Sequence, residues 1–516
     1  MSDHRPVTQT ADKTILRTAA GETALWTAAD AADATGGRTS GPSAWAATGV
    51  TIDSRKVAPG DLFVAIRGPN FDGHAFVGAA LAAGAAAAMV DHVPDGLPAD
   101  APLLLVPADT LQSMAALGAA ARAHCGARFV GVTGSVGKTG TKETLRHVLS
   151  AQGPTYATEG SLNNHWGVPL SLARLPASSA YGVFELGMNH AGELGPLSRQ
   201  VRPDVAIVTT VEAAHLEFFS GVEAIADAKA EIFEGMGPNG VAVLNRDNGQ
   251  FARLAAAAAS HGLSHIWGFG SDDRADARLL DCSLHATCSA VTAVVRGERL
   301  QYCLSLPGRH WVMNSLAVLL AVKALGADVA AAARSLSSLQ PVKGRGTRKR
   351  IQAPQGAFTL IDESYNASPA AMAATLEVLG KIDPGAGGRR IAVLGDMREL
   401  GDRADALHAA LAEPLRAAQV DAVYACGQHM RALFDRLPET MRGAWSESSV
   451  DLAPIVTASV KGGDVVMVKG SLGSRTGLVV DALAALDRGR ESEDKAASRI
   501  TNQPQAAAHS AHAPRG

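Results

Sequence analysis

A glycine-rich turn carries the clearest chemical signature in the chain, because it stands between an apolar run and a helical pattern predicted over Lys142–Ser150. Its residues, with the glycine that follows them, are Gly134, Ser135, Val136, Gly137, Lys138, Thr139 and Gly140. Glycines let backbone N–H groups curl around phosphate oxygens, lysine supplies a mobile cation, and threonine can ligate Mg²⁺. The spacing departs from the strict GxxxxGK(S/T) pattern, since Val132 stands five residues before Gly137. The intact Gly-x-x-Gly-Lys-Thr core still predicts a phosphate loop that binds ATP or GTP with Mg²⁺.

Glu185 is a second candidate, because it ends an apolar run and is followed by Gly187. Nucleotide-dependent enzymes use such a carboxylate to hold a metal beside the threonine of the phosphate loop. Downstream of such a loop, we interpret Glu185 as a metal ligand rather than a solvated strand end. Two further residues are of metal-binding type, but their local patterns alone favour a hydrogen-bonded structural histidine at His215 and a solvated helix lysine at Lys229.

The elements that must position these residues alternate short β-branched runs with longer helical patterns rich in alanine and leucine. This alternation indicates an α/β fold with mostly parallel sheets. Most of the β-branched runs end near Gly, Asn, Asp or Thr, where open α/β sheets place their ligand sites. The predicted strands include Leu103–Val106, Phe129–Val132, Val205–Val208, Val241–Leu244, Ile391–Leu394, Ala422–Ala425 and Val465–Val468.

The chain divides into three blocks of domain size. We place the first at 21–127, ending before the strand that feeds the phosphate loop, the second at 128–349 and the third at 350–486. A basic, glycine-rich stretch precedes the third block. Residues 1–20 and 487–516 lack apolar periodicity, so we expect both ends to be disordered.

Composition excludes several classes of partner. The 516 residues are 47% hydrophobic and 19% charged, and the formal net charge of -3 gives no field that would recruit nucleic acid or an anionic membrane. The N-terminus is polar, and the apolar stretch Val77–Val90 is too short to span a bilayer. Five scattered cysteines without CxxC spacing indicate reduced thiols. We therefore expect a cytoplasmic, monomeric protein with no nucleic acid partner and no stable membrane insertion.

Taken alone, these motifs do not choose between hydrolysis, phosphoryl transfer and ligation. Beyond them, a series of segments from about Gly49 to about Leu483 resembles the Mur ligase family of peptidoglycan synthesis, in the family's own order. The segments are Thr51–Arg55, Pro59–Ala65, Asp72–His74, Gly134–Thr139, Leu162–Pro169, Glu185–Met188, Glu212–Glu217, Ala228–Phe233, Leu244–Asp247, Pro307–His310 with Asn314, Asp362–Pro369, Leu394–Gly401 and Val468–Ser471.

The resemblance implies three domains: an N-terminal UDP-sugar-binding α/β domain, a central P-loop ATPase domain with a mostly parallel sheet, and a C-terminal Rossmann-like domain. It also implies an ATP- and Mg²⁺-dependent ligase that forms an amide bond through an acyl phosphate. The branch that it resembles most adds D-alanyl-D-alanine to UDP-N-acetylmuramoyl-tripeptide, and these are the implied partners. Whether the third residue of the tripeptide is lysine or diaminopimelate is left open.

Site roles follow from the same resemblance, residue by residue. Lys138 and Thr139 would bind the phosphates and a first Mg²⁺, joined by Glu185. His215 would help to bind a second Mg²⁺, and Lys229 would be carbamylated so that its side chain becomes an anionic metal ligand.

The remaining implied contacts are with nucleotide and sugar. Arg345 would meet the γ-phosphate, Asn314 the adenine, and Asp362 or Glu363 the ribose. The residues implied toward the UDP-muramoyl substrate are Asp53, Ser54, Arg55, Asp72, Gly73, His74, Asn163 and Asn164.

Three positions depart from the family pattern. Trp311 stands where a second asparagine is usual, Glu363 replaces an aspartate, and Ser368 replaces the asparagine before Pro369. None of these changes removes a group that binds phosphate or metal, so we expect activity to survive.

Two alternatives are weighed against this interpretation. A neighbouring ligase that adds a diamino acid to the muramoyl-dipeptide would carry Asp-Asn-Pro-Arg in its third domain, whereas this chain has Ser364–Ala367 in the pattern of the dipeptide-adding branch. A P-loop kinase or nucleotide switch would need neither the Asp53–Arg55 segment nor a third domain.

Overall fold

A computed structural model describes residues 24–42, 44–213 and 217–487 of the chain. In the part described, three large sheets of five, nine and six strands follow one another along the sequence. The predicted disordered ends fall outside the described residues, with one exception. Asp487 lies in a helix over 477–487, and its Oδ1 accepts a hydrogen bond of 3.0 Å from the backbone N of Gln352. The prediction that the tail begins at Asp487 is therefore wrong, because this residue is tied to the body.

The first sheet is small and mostly parallel, with only its Arg38–Ser40 edge strand antiparallel. Its strands, in spatial order, are Arg38–Ser40, Leu103–Leu105, Ala87–Val90, Asp61–Val64 and Gly49–Thr51. Two short antiparallel pairs accompany it, Trp26–Thr27 with Ala46–Ala47 and Arg67–Gly68 with Phe71–Asp72. The helices of this region are Ala28–Thr35, Val77–Ala82 and Thr110–His124.

The central sheet is parallel over its first seven strands and ends in an antiparallel meander. Its strands, in spatial order, are Thr155–Ala157, Tyr181–Glu185, Arg128–Thr133, Val205–Val208, Val241–Asn245, His265–Gly270, Ala277–Leu284, Ser289–Val295 and Glu298–Leu304. The helices of this region are Lys138–Ser150, Gly167–Ala173, Leu194–Val201, Val222–Ala230, Phe251–Ser260, Arg309–Ala324 and Val329–Ser335.

Alternation along the central strands explains why helices cover both faces of this sheet. Val130 and Val132 belong to one apolar core, whereas Phe129 on the same strand belongs to the core on the other side. Successive side chains of a strand point to opposite faces, so an apolar run can bury both.

The third sheet is parallel except for its first hairpin. Its strands, in spatial order, are Thr347–Ala353, Gly356–Glu363, Val465–Lys469, Arg390–Gly395, Ala422–Cys426 and Arg442–Ser446. The helices around it are Pro369–Gly380, Ala404–Ala409, Ala412–Ala417, Met430–Arg436, Ser449–Ser459 and the helix over 477–487.

The first and second sheets are joined by close helix packing. A Cβ on Gly118 of helix Thr110–His124 would lie 2.9 Å from the Cβ of Leu172, so only glycine permits this approach. The indole N–H of Trp26 also donates a 2.8 Å hydrogen bond to the carbonyl of Ala173. Helix Gly167–Ala173 of the central domain thus holds the first domain close to Asn163 and Asn164, which lie just before this helix.

The α/β fold with mostly parallel sheets is confirmed, and so is each predicted strand, to within one residue at either end. The helix after the phosphate loop begins at Lys138 rather than at the predicted Lys142. Gly140 suggests a longer turn, but one glycine costs a helix only about 1 kcal/mol. Among the described helices, none combines the length and the apolar character that crossing a bilayer would require.

Candidate active site

The phosphate loop, Gly134–Thr139, takes its shape from two glycines and a neighbouring strand. Gly134 and Gly137 have φ values of 145° and 86°, a region that strongly favours glycine. A Cβ on Gly134 would lie 1.9 Å from the Oγ1 of Thr209, which donates a 2.6 Å hydrogen bond to the carbonyl of Val136. No side chain caps the helix that begins at Lys138, so its first N–H groups form an anion site.

Two cationic side chains lie at the phosphate site, those of Lys138 in the loop and Arg345. The Nζ of Lys138 donates a 2.7 Å hydrogen bond to the carbonyl of Gly134. Burial lowers the pKa of Lys138, the charge of Glu185 opposes that shift, and the charge of Arg345 adds to it. Lys138 and Arg345 therefore lie close enough to act on one anionic ligand.

Glu185 ends strand Tyr181–Glu185 and is 1% exposed. Its Oε1 accepts a 2.7 Å hydrogen bond from the Nδ2 of Asn163, whereas its Oε2 is buried and has no hydrogen-bond partner among the residues described. A buried carboxylate oxygen without a partner is costly, and such atoms commonly mark ligand sites. With the hydroxyl of Thr139 on the same cavity wall, this oxygen forms a donor set that fits a hard divalent cation.

Lys229 does not behave as the solvated lysine that its local sequence favours. It lies near the end of helix Val222–Ala230 on the face packed against the core, and only 2% of it is exposed. Burial, together with the charge of Lys138, lowers the pKa of Lys229 well below its ordinary value. Its amine is therefore driven toward the neutral form. It does not line the cavity, and His215 lies outside the described residues.

A cavity of about 480 Å³ opens between the central and C-terminal regions. From the predicted set it brings together Ser135, Val136, Gly137, Lys138, Thr139, Gly140, Asn163, Glu185, Asn314, Arg345 and Glu363. The predicted residues that do not line it are Gly134, Asn164, Lys229, Asp362 and the segments of the first domain, as far as the described residues extend.

The two ribose candidates have different environments. Asp362 is 8% exposed, and its Oδ1 accepts hydrogen bonds from the backbone N and the hydroxyl of Ser364, at 3.1 and 2.6 Å. Glu363 lines the cavity, where the Nζ of Lys469 lies 3.3 Å from its Oε2. Of the pair, Glu363 is the residue available to a ligand.

Trp311 and Asn314 approach the phosphate loop from helix Arg309–Ala324. A Cβ on Gly137 would lie 2.9 Å from the Nδ2 of Asn314, and one on Gly140 would lie 2.7 Å from the indole of Trp311. The two glycines therefore give room to an amide and to an indole ring. Trp311, at the position of the expected second asparagine, places its indole ring against Gly140 of the helix that begins at Lys138.

In the two predicted substrate-binding segments of the first domain, the charged side chains form hydrogen bonds within their own segment. The side chain of Arg55 donates to Asp53 and holds the pKa of that carboxyl at about 2. Asp72 accepts a 2.9 Å hydrogen bond from the backbone N of His74 and pairs with its ring at 2.6 Å. Ser54 opens the short helix after Asp53, and Gly73 fits where a Cβ would lie 2.7 Å from the backbone of Ile66.

Asn164 and Ser368 have mainly structural contacts. The side-chain oxygen of Asn164 accepts from the backbone N of Gly167 at 2.9 Å, at the start of helix Gly167–Ala173. Ser368 caps helix Pro369–Gly380 by accepting from the backbone N of Ala371. Serine caps a helix about as well as asparagine, so helix Pro369–Gly380 keeps its N-terminal cap despite this departure.

Several residues of the cavity wall are not assigned by sequence reasoning. They are Ser161, Met188, Asn189, Thr209, Thr210, Glu212, Asn245, His310, Tyr365, Asn366 and Lys469. The sequence contains a pattern that could have identified three of them: Thr209, Asn245 and Lys469 follow or end strands, just as Glu185 does. Burial and the charge of Lys469 also lower the pKa of His310 to about 4, so this ring is neutral at pH 7.

Three family models match the chain in the order of its sheets. They describe a Mur ligase catalytic domain at 46–123, a Mur ligase middle domain at 132–322, and a Mur ligase glutamate ligase domain at 345–472. Together with the phosphate loop and the cavity, these matches define an ATP-dependent ligase that forms an amide bond. The chain belongs to the Mur ligase family.

Individual relatives narrow the comparison. The UDP-N-acetylmuramoyl-tripeptide–D-alanyl-D-alanine ligase of Escherichia coli K12 is 37% identical over 386 residues, which are 74% of this chain and 82% of the relative. A crystal structure of MurF from Acinetobacter baumannii superimposes with a TM-score of 0.77 at 31% identity, covering 89% of this chain and 99% of that one. MurF from Thermotoga maritima in complex with ADP gives a TM-score of 0.72 at 28% identity, with 86% and 98% covered.

Proposed function

We propose that this chain joins D-alanyl-D-alanine to UDP-N-acetylmuramoyl-tripeptide with consumption of ATP, as its relatives are named for doing. The observation that carries the proposal is the convergence of three groups on one cavity: the phosphate loop, the unpartnered oxygen of Glu185, and Arg345. We also propose that the three domains span 21–127, 128–349 and 350–487, where the third includes Asp487 because that residue lies in its last helix, and that the enzyme works in the cytoplasm.

Chemistry of this kind needs two steps. The terminal carboxylate of the tripeptide attacks the γ-phosphorus of ATP, which gives an acyl phosphate and ADP. The amine of D-alanyl-D-alanine then attacks the acyl carbon, loses a proton and expels phosphate. Both steps bring anionic groups together, so catalysis depends on positioning and on fixed positive charge.

The residues of the cavity supply that charge. Lys138 and the N–H groups at the start of its helix would hold the phosphates, and Arg345 would approach the transferring group from the other wall. Asn314 would contact the adenine and Glu363 the ribose. Closure of the third domain over this centre would exclude water, which would otherwise hydrolyse the acyl phosphate.

Mg²⁺ would be held by the hydroxyl of Thr139 and the free oxygen of Glu185, where it would neutralise phosphate charge. His215 and Lys229 would serve a second Mg²⁺. For Lys229 this requires a carbamate, and its burial beside Lys138 favours the neutral amine that reacts with CO₂. The carbamate oxygens would then be available to a metal ion, whereas the ammonium form of Lys229 would be repelled by two metal ions.

The UDP-muramoyl substrate would lie toward the first domain. We assign its contacts to the segments Asp53–Arg55 and Asp72–His74, with Asn163 and Asn164 near the peptide end. Phe71 lies edge-on to Trp166 with ring centroids 6.3 Å apart, so the second of these segments is adjacent to the residues that follow Asn164.

The decisive experiment supplies purified protein with ATP, Mg²⁺ and D-alanyl-D-alanine, together with UDP-muramoyl-tripeptide carrying either lysine or diaminopimelate. We expect phosphate release and a ligated product only when both acceptor and amine are present. Free diaminopimelate or lysine should not replace the dipeptide. Ligation of a free diamino acid to UDP-muramoyl-dipeptide would instead make the chain the neighbouring ligase, and phosphoryl transfer without phosphate release would make it a kinase.

A further inference from the structure

The segment 158–166, here called the junction loop, contacts elements from all three domains. Trp166 meets Phe71 of the first domain, and the hydroxyl of Tyr365 in the third domain donates a hydrogen bond to the hydroxyl of Ser161. Within the central domain, Asn163 of this loop orients Glu185. One short loop therefore connects the metal-type carboxylate with both neighbouring domains.

Lys142 anchors the junction loop to the helix of the phosphate loop. Its side chain is completely buried, and its Nζ donates to the carbonyls of Thr158 at 2.7 Å and Gly160 at 2.9 Å. The same ammonium pairs with Glu143 at 2.7 Å. A fully buried lysine is rare unless its charge is satisfied in this way. These bonds tie the start of the junction loop directly to the helix that begins at Lys138.

Tyr365 connects the junction loop with Arg345. The guanidinium of Arg345 lies over the Tyr365 ring, 4.4 Å from its centroid. The backbone N of Tyr365 donates to the carbonyl of Gly344 at 3.2 Å. Gly344 has a φ of 74°, and a Cβ on it would lie 3.0 Å from the Cβ of Tyr365. The turn that carries Arg345 is therefore packed directly on this tyrosine.

We propose that Tyr365 is a positioning residue: its ring holds Arg345 in the phosphate site, and its hydroxyl makes that placement depend on the junction loop. The inference rests on the proposed function and adds a residue to it. The loop also holds Asn163, so the orientation of Glu185 and the orientation of Arg345 are linked through Ser161 and Tyr365. Arg345 reaches its working position only when the third domain is seated on the loop.

Tyr365→Phe and Ser161→Ala test this link, since both remove one hydrogen bond and the first keeps the ring under Arg345. We expect kcat for ligation to fall about three- to tenfold in each variant, because a loss of this size corresponds to the free energy of one hydrogen bond between neutral groups. The KM for ATP should stay within twofold of its original value, because the effect acts on the transferring group. The double variant should be no slower than either single variant, as expected for two partners in one bond.

Tyr302→Phe provides a matched control. The hydroxyl of Tyr302 pairs with Ser315 at 2.6 Å in the core of the central domain, away from the cavity wall. This variant loses the same kind of hydrogen bond, so it should lower the thermal midpoint without changing kcat. An equal loss of kcat in the control would mean that the effect is general loosening and would overturn the proposal.

Hydrogen exchange separates this inference from the proposed function. With a non-hydrolysable ATP analogue, which keeps the γ-phosphate that Arg345 would contact, and Mg²⁺, residues 158–166 and 342–347 should both gain protection in the original protein, whereas 342–347 should lose that response in Tyr365→Phe. If this exchange pattern is found but the protein does not ligate, the proposed function is refuted while the link between Ser161, Tyr365 and Arg345 is supported. Active ligation with normal kcat in both single variants, or multiplicative losses in the double variant, would refute the link alone.

Discussion

Asn163 donates a 2.7 Å hydrogen bond to Oε1 of Glu185 and thereby determines which carboxylate oxygen remains for a ligand. Gly187 permits the contact, because a Cβ there would lie 2.9 Å from the Asn163 amide carbon. The other oxygen, Oε2, is held in a fixed direction by the protein itself. Such preorganisation avoids the cost of orienting the carboxylate when a ligand binds.

Removing either charge at this centre should abolish most activity without unfolding the protein. In Glu185→Ala and Lys138→Ala, we expect ligation to fall roughly 100- to 1000-fold, since one contact to the reacting group is worth about 3–4 kcal/mol. The thermal midpoint should barely move. Phosphate release and thermal unfolding measure the two quantities. Glu413→Ala, whose side chain is 81% exposed, should leave both unchanged. Near-normal turnover in either site variant would refute the assignment.

Lys229 allows a test of the carbamate. Lys229→Ala should be nearly inactive and partly rescued by added short carboxylic acids, which can refill the vacated anionic position. Lys229→Arg should not be rescued, because its guanidinium stays cationic and fills the space. Activity as a function of acetate concentration provides the measurement. An unmodified lysine in an ATP-bound crystal structure, together with an unrescued alanine variant, would eliminate the idea.

Gly140 and Trp311 should depend on each other. A Cβ on Gly140 would lie 2.7 Å from the indole, so Gly140→Ala should displace the ring and weaken ATP binding. Changing Trp311→Asn in the same chain removes the obstacle, and affinity should recover at least in part. Calorimetric titration with ATP on the two single variants and the double variant decides the matter. If the double variant is weaker than Gly140→Ala alone, the clash does not explain the effect.

Asp464 offers a prediction about stability alone. This buried carboxylate accepts from the backbone N and the guanidinium of Arg389 and from the backbone N of Lys461. Asp464→Ala should lower the free energy of unfolding by about 3 kcal/mol, because two backbone N–H groups lose their acceptor. Asp435→Ala, in an exposed ion pair of the same domain, should cost well under 1 kcal/mol. Denaturant unfolding of both variants provides the comparison.

Local patterns predict much of this molecule, because strand and helix periodicity are written in neighbouring residues. The phosphate loop shows the same advantage, because its glycines, lysine and threonine lie within six consecutive residues; its contact with Thr209, from a separate strand, is the part that local sequence does not show. Glu185 could be found because it ends an apolar run, and the carboxyl ends of parallel strands meet at one edge of the sheet.

Contacts between distant segments are harder to predict. Asp362 and Glu363 are consecutive residues of one strand and must point to opposite faces, so only one can reach the cavity. Ser364 is a local partner for Asp362, but the side on which the cavity lies depends on distant residues such as Lys469, which contacts Glu363. Tyr365 is likewise ordinary until Ser161, more than 200 positions earlier, is brought beside it. The burial of Lys229 also depends on the packing of its helix against the core.

The position of Trp311 gives the molecule an optical property. The chain has six tryptophans, all within the described residues, and Trp311 alone among them lines the cavity. Indole emission is sensitive to contact with a neighbouring ring or charge, so this side chain would act as a built-in reporter. Excitation of the unlabelled protein should report nucleotide occupancy through Trp311, and a Trp166→Phe variant would remove the emission of the tryptophan in the junction loop.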